Sequence, residues 1–243
     1  MATDIGPDQL FLPPHNIKTQ GNLTQIANWT DQNLMQINVK KSNYMVFTRS
    51  MTKFATRLNI KDNFIEQVRE TKLCGVWITD NLKWEKNTRE ITRNAFARMS
   101  MITKLKYVGV SKEDLLDVYI LFIRSLSEYC AVVWHSSLTV ELTGMLERVQ
   151  KICLKVILGD EYTDYNSALE LTNLKTLYQR RENRCLKCAE KCLKHSVNKR
   201  LFPLNKNKHN LHTVSKEKFV VNFARGEELK KSAIPYLQRL LNC

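Results

Sequence analysis

Cys185, Cys188, Cys192 and His195 are the side chains in this sequence whose types and spacing most resemble a metal site. Thiolate and imidazole are common zinc donors, and a tetrahedral site needs all of them within about 2.0–2.3 Å of one ion. The surrounding residues have helical periodicity, which puts the set at i, i+3, i+7 and i+10. Its first and last members are then separated by about 15 Å along the axis. One continuous helix cannot close such a shell, so these cysteines are read as packing residues and no metal is expected. The seven cysteines are an odd count with no secretory context. That combination points to a reducing, intracellular compartment, cytoplasmic and/or nuclear.

The other candidates for chemistry are cations. The chain has a formal charge of +14 over 243 residues, unevenly placed. Residues 1–170 carry 21 Lys+Arg against 19 Asp+Glu, whereas residues 171–243 carry 17 against 5. A basic C-terminal third suggests a polyanion as partner, with nucleic acid favoured over a membrane surface. The opening MATDIGPDQL has no basic-plus-apolar signal peptide.

The elements that must position these cations are mostly helical. Residues 1–21 read as an irregular leader, broken by Gly6-Pro7 and Pro13-Pro14. Asn22 can cap a short helix through Leu34. Tyr44–Phe47, Arg57–Ile60 with Phe64–Val68 around a turn at Asp62-Asn63, and Leu73–Ile78 read as short antiparallel strands. Gly75 within the last of these suggests a bulge or a close backbone approach.

From Trp84 onward the pattern is helical throughout. Residues 85–106 set Ile91, Ala95, Met99 and Ile102 on one face and Lys86, Arg89 and Arg93 on another. Ser111–Trp134 is apolar around most of its circumference and reads as a central core helix. Asp117, Arg124 and Glu128 interrupt it, and each would cost roughly 2.5–3.5 kcal/mol at mid-bilayer, so a membrane span is not expected. A helix over 139–158 stops at Gly159, and Asp164 caps a short one through Leu171. A longer helix, about 174–194, sets Leu177, Tyr178, Leu186, Ala189 and Leu193 on one side. Its other side carries Lys175, Arg180, Arg181, Arg184, Lys187, Lys191 and Lys194. The tail from Ser196 is basic and broken by Pro203 and Pro235.

Several phrases, in order, resemble the C-terminal part of non-LTR, jockey-like retrotransposon reverse transcriptases. Trp29, Asn33, Met35, Ile37, Asn38, Lys41-Ser42, Met45 and Phe47 fall on the family's W-x3-N-x-M-x-[LI]-N-x2-K-[TS]-x2-M-x-F pattern. Lys72-Leu73-Cys74-Gly75-Val76 with Leu82-Lys83-Trp84 falls on K-L-L-G-V…L-x-W. Tyr119, Ile123-Arg124-Ser125, Tyr129 and Trp134, then Leu146–Lys151, Arg180-Arg181, Phe202-Pro203-Leu204 and Ile234-Pro235, continue the series over roughly residues 16–242.

The resemblance implies an α+β, mainly α fold: a small antiparallel remnant of a polymerase palm over 22–83, a helical thumb-like bundle over 84–195, and a basic tail over 196–243. It gives Lys41, with Asn38, the place of a palm lysine near the leaving pyrophosphate, where an ammonium supplies charge and a proton. Leu73, Cys74 and Gly75 fall on the hairpin that grips the primer end, with Cys74 replacing the usual Leu. Lys83, Lys86, Arg89, Arg93, Lys104 and Lys106, and Arg180, Arg181 and Arg184 in the later helix, would contact phosphates of an RNA or RNA–DNA template–primer duplex.

DNA synthesis in this family needs two metal ions held about 3.5–4 Å apart by palm aspartates. No Asp-Asp dipeptide occurs in the chain. The expectation is therefore a fragment that binds no cofactor itself and is not catalytic alone. Mg²⁺ would belong to the intact enzyme, whose palm and fingers, from the same polyprotein, would be a partner. A rival reading is a domesticated, non-enzymatic nucleic-acid-binding or adaptor module. A weaker one is an RNA-binding appendage of the kind preceding AlkB-type tRNA-modifying enzymes, although no H-x-D…H iron set and no Gly-rich cofactor loop are present.

Overall fold

A computed structural model describes residues 14–47, 57–205, 218–221 and 225–242, and is mainly helical with short strands. The chain divides into two compact units, Met1–Lys83 and Trp84–Cys243.

The first unit begins with helix α1, Pro14–Gln32. This corrects the irregular leader, whose residues 1–13 lie outside the described part. A proline is compatible with the first helical turn because its missing N–H would have no partner there. The strands are shorter than expected. β1 (Asn43–Tyr44) pairs with β4 (Glu66–Gln67), and this pair is parallel rather than antiparallel. β2 (Asn59–Ile60) and β3 (Asn63–Phe64) form an antiparallel hairpin turning at Lys61-Asp62, one residue earlier than expected.

The largest correction in this unit concerns Leu73–Ile78. It is not one strand but the turn and flanks of a hairpin, β5 (Glu70–Leu73) against β6 (Val76–Thr79). Cys74 and Gly75 have φ of 47° and 85°, the paired positive values of a type I′ turn, which matches the twist of two-residue hairpins. Apolar residues on both sides of the turn hid it. A small core of Ala27, Leu58, Ile60 and Ile65, joined by Leu23, Ile37, Val39 and Tyr44, holds α1 to the strands. The Gln20 side chain adds two bonds to the Asn59 backbone, donating at 2.9 Å and accepting at 3.1 Å.

In the second unit, α2 (Glu85–Tyr107) and α5 (Val140–Leu158) pack together around Ala95, Ile102, Val149, Cys153 and Ile157. Gly159 ends α5 at φ 61°, and Asp164 caps α6 (Tyr165–Leu171) through the N–H groups of Asn166 and Ser167. Thr176 opens α7 (Leu177–Lys194) with a capping box completed by Gln179.

Ser111–Trp134 is not one helix. It runs as α3 (Lys112–Val118), a π-helical turn (Tyr119–Ile123), a 3₁₀ turn (Arg124–Ser127), a left-handed residue at Cys130 (φ 50°), and the single turn α4 (Ala131–Trp134). Serine hydroxyls help to unwind it. Ser125 Oγ donates to the Leu121 carbonyl and Ser127 Oγ to that of Arg124, each at 2.7 Å. Arg98 donates to the Phe122 carbonyl at 2.7 Å. Tyr119, Ile123 and Trp134 remain fully buried, so the segment is central to the core even though its helix is broken.

The C-terminal stretch packs back onto α7. Phe202, Phe219 and Leu237 join Cys185 and Ala189 in one apolar cluster. The Asn242 amide makes two 2.9 Å bonds with the Phe219 backbone. Pro235 does not break α9 (Ala233–Leu240), because it lies in the first turn, where an N–H is dispensable. Between α7 and α9 lies the short helix α8 (Glu227–Lys230). Among the described residues, no helix is long and apolar enough to cross a membrane.

Candidate nucleic-acid interface

The candidate cations fall into groups that the sequence pattern does not separate. On α2, Lys86, Arg89, Arg93 and Lys104 lie within roughly 60° of one another about the axis and span about 27 Å. The opposite face, with Thr88, Thr92, Ala95 and Ile102, is buried. Arg89 pairs with Glu85 and Arg93 with Glu90, each at 2.6 Å. Both arginine side chains stay well over half exposed in these pairs. Exposed pairs one helical turn apart are weak, about 0.3–0.5 kcal/mol, so either guanidinium can exchange its carboxylate for a phosphate.

Lys106 faces another way. Its Nζ donates to the Val156 and Ile157 carbonyls at 2.5 and 3.3 Å, capping the C-terminal end of α5, where a cation is favoured. Its expected role as a phosphate contact is replaced by this one. Lys83 is exposed at the end of the first unit.

The arginines of α7 depart furthest from expectation. Arg181 was assigned to the polar side, yet it is fully buried in the row Leu177, Arg181, Cys185, Ala189. Its guanidinium lies 5.8 Å from the Trp134 ring centroid. Arg181 Nε donates to His135 Nδ1 at 3.3 Å, which assigns the imidazole proton to Nε2. Nη1 and Nη2 of Arg181 have no partner. It cannot reach a phosphate, and burial lowers its pKa. Burial first, and the Arg181 charge second, also push His135 down to about 4. Tyr178 is the reverse case, expected inside but partly exposed, with its ring edge-on to His135 at 4.9 Å.

Arg180 and Arg184 converge on Glu128, whose side chain is 3% exposed. Arg184 approaches Oε2 through Nε at 2.8 Å and Nη2 at 2.6 Å. Arg180 uses Nε on Oε1 and Nη2 on Oε2, the latter at 3.3 Å. Arg124 Nε stands 3.6 Å from Oε1. Burial raises the pKa of Glu128, but the hydrogen bonds and charges of Arg180 and Arg184 outweigh it, and the net shift is downward.

A polar network sets the start of α7 and so aims these arginines. Glu147 accepts from the backbone N–H groups of Leu177 and Tyr178 at 3.3 and 2.6 Å, and from the Tyr165 hydroxyl at 2.6 Å. Gln150 ties in Tyr119 at 2.7 Å and the Lys175 carbonyl at 3.1 Å. Glu128 and His135 were not singled out as site residues by pattern. Their signal was an acid and an imidazole beside an otherwise apolar run, opposite an arginine pair at i, i+4.

In the first unit, Asn38 caps the 3₁₀ turn Val39–Lys41, its Oδ1 accepting from the Lys41 N–H at 3.2 Å. The Lys41 side chain is exposed on that turn, while Leu73, Cys74 and Gly75 are exposed at the tip of the β5–β6 hairpin. Cys185 is buried, which pushes its thiol up to about 12, and Cys188 and Cys192 are half-buried. His195 ends α7 and is exposed. Among the described residues, no three His, Cys, Asp or Glu side chains are grouped to hold a metal ion. No family model matches this chain, and neither a curated protein nor a solved structure is significantly similar to it.

Proposed function

We propose that this chain binds RNA or an RNA–DNA duplex through the outward face of α2, as the template–primer-holding part of a non-LTR retrotransposon reverse transcriptase. The observation that carries the binding part is the placement of Lys86, Arg89, Arg93 and Lys104 along one exposed helix face. Cations in a row over about 27 Å match the long, regular charge of a duplex backbone. They offer no base-reading geometry, so binding is independent of sequence. The reverse-transcriptase part rests on the ordered phrases from Trp29 to Pro235.

Joining nucleotides requires carboxylates around paired metal ions, and this chain supplies no Asp-Asp pair. It therefore holds nucleic acid without extending it. Neutralising four phosphates makes binding fall about a hundredfold between 50 and 200 mM salt. Fluorescence anisotropy with a labelled RNA–DNA duplex tests this. Affinity unchanged over that salt range, or no binding at low salt, sinks the proposal. Primer extension by the purified chain on an RNA template would overturn the non-catalytic part.

A further inference from the structure

The group around Glu128 has an imbalance that the α2 face does not share. Three guanidiniums, from Arg124, Arg180 and Arg184, meet one carboxylate, leaving a local surplus of positive charge. They present roughly fifteen N–H donors to about four lone-pair positions. Glu128 is buried, so its charge is spent inward, whereas the Arg184 and Arg180 side chains are 53% and 28% exposed. These two lie one turn apart on α7, with their outer edges toward solvent. Arginine forks of this kind suit an oxyanion bound by paired N–H groups. Guanidiniums this close repel one another unless an anion separates them. Glu128 supplies that anion and holds the forks in place before any ligand arrives, lowering the ordering cost of binding.

We propose that Arg180 and Arg184, backed by Arg124 and held by Glu128, form a receiving site for a phosphate group. The site is separate from the α2 face and does not rest on the duplex reading. The phosphate can be free, a strand terminus or part of a nucleic-acid backbone, because the recognised chemistry is the same.

The test is titration with inorganic phosphate against chloride at matched ionic strength. It is followed by ³¹P line broadening and by thermal melting of the wild-type chain and of Arg184→Gln. Arg184 is more than half exposed, so its replacement leaves the fold intact, which circular dichroism checks. Phosphate should raise the melting temperature saturably, and Arg184→Gln should weaken its apparent affinity about tenfold. Equal responses to phosphate and chloride, or an unchanged response in Arg184→Gln, would overturn the site. Glu128→Gln removes the competing internal anion and should bind phosphate more tightly. A folded Glu128→Gln protein that binds no better argues against Glu128 as the place-holder, and if it does not fold, Arg184→Gln decides.

Oligonucleotides with and without a 5′-phosphate then identify the source. Competition that needs the 5′-phosphate assigns a strand end, competition by both assigns the backbone, and competition by neither assigns free phosphate. Arg89→Gln with Arg93→Gln should weaken duplex binding yet leave the phosphate response untouched, so the two proposals can fail separately.

Discussion

The basic residues of α2 and those of α7 look alike along the chain, but their surroundings are opposite. On α2 each arginine meets one neighbouring glutamate on its own helix in a solvated pair. On α7 the arginines reach across to Glu128 and His135, which lie on the unwound segment before α5, and one of them is enclosed completely. A solvated ion pair contributes little to stability and leaves its charge available to a partner. A buried one contributes through the penalty of breaking it. The same residue types thus serve binding in one helix and architecture in the other.

Substitution at the buried carboxylate should separate the two helices most sharply. Glu128→Ala strands three guanidiniums without their counter-charge and is expected to destabilise the protein by about 3–5 kcal/mol in urea unfolding. A loss below ~1 kcal/mol would mean that the α7 arginines are as loosely held as those of α2. Acid should act in the same place. His135 stays neutral in the fold down to about pH 4, whereas an unfolded histidine titrates near pH 6.5. Between those values the unfolded chain gains a proton that the native state refuses, so stability falls with pH, by up to about 3 kcal/mol. His135→Phe should flatten that stretch of the profile. If its slope matches the wild type, another group is responsible. Below that range Glu128, whose folded pKa is depressed, loses its contribution in turn as it is protonated.

The α2 face should behave differently in both respects. Changing Arg89 and Arg93 together to Gln is expected to reduce the salt dependence of duplex binding by about two counterions. An unchanged salt slope would remove α2 from the interface. The same double substitution should alter unfolding stability by no more than about 0.5 kcal/mol per site, since both side chains are exposed. A larger loss would make α2 a second architectural face.

Helices α2, α5 and α6 were legible because their signals are local: a periodic apolar face, a glycine stop at Gly159, a capping aspartate at Asp164. The broken course from Tyr119 to Cys130 was not, because its cause lies far along the chain. Glu128 is drawn toward Arg180 and Arg184, and the backbone gives up regular helix to deliver it. Periodicity likewise placed Arg181 outside, since an arginine inside needs Trp134 and His135, which cannot be read from its own helix. The Cys74-Gly75 turn was hidden by apolar neighbours that also suit a continuous strand. In the candidate interface, the row of cations on α2 was visible in the sequence, whereas the inward turn of Lys106 toward α5 depended on packing.

The π-helical turn at Tyr119–Ile123 carries a consequence for how this stretch tolerates change in length. Such a turn holds one more residue than an ordinary helical turn would over the same rise. Removing a single amino acid there would let the coil tighten, and would swing everything after it by about a quarter of a revolution. Glu128 would then point away from its arginines. A segment that resembles loosely wound helix is thus a spacer of set length, and deletions should be tolerated worse there than in the neighbouring connections.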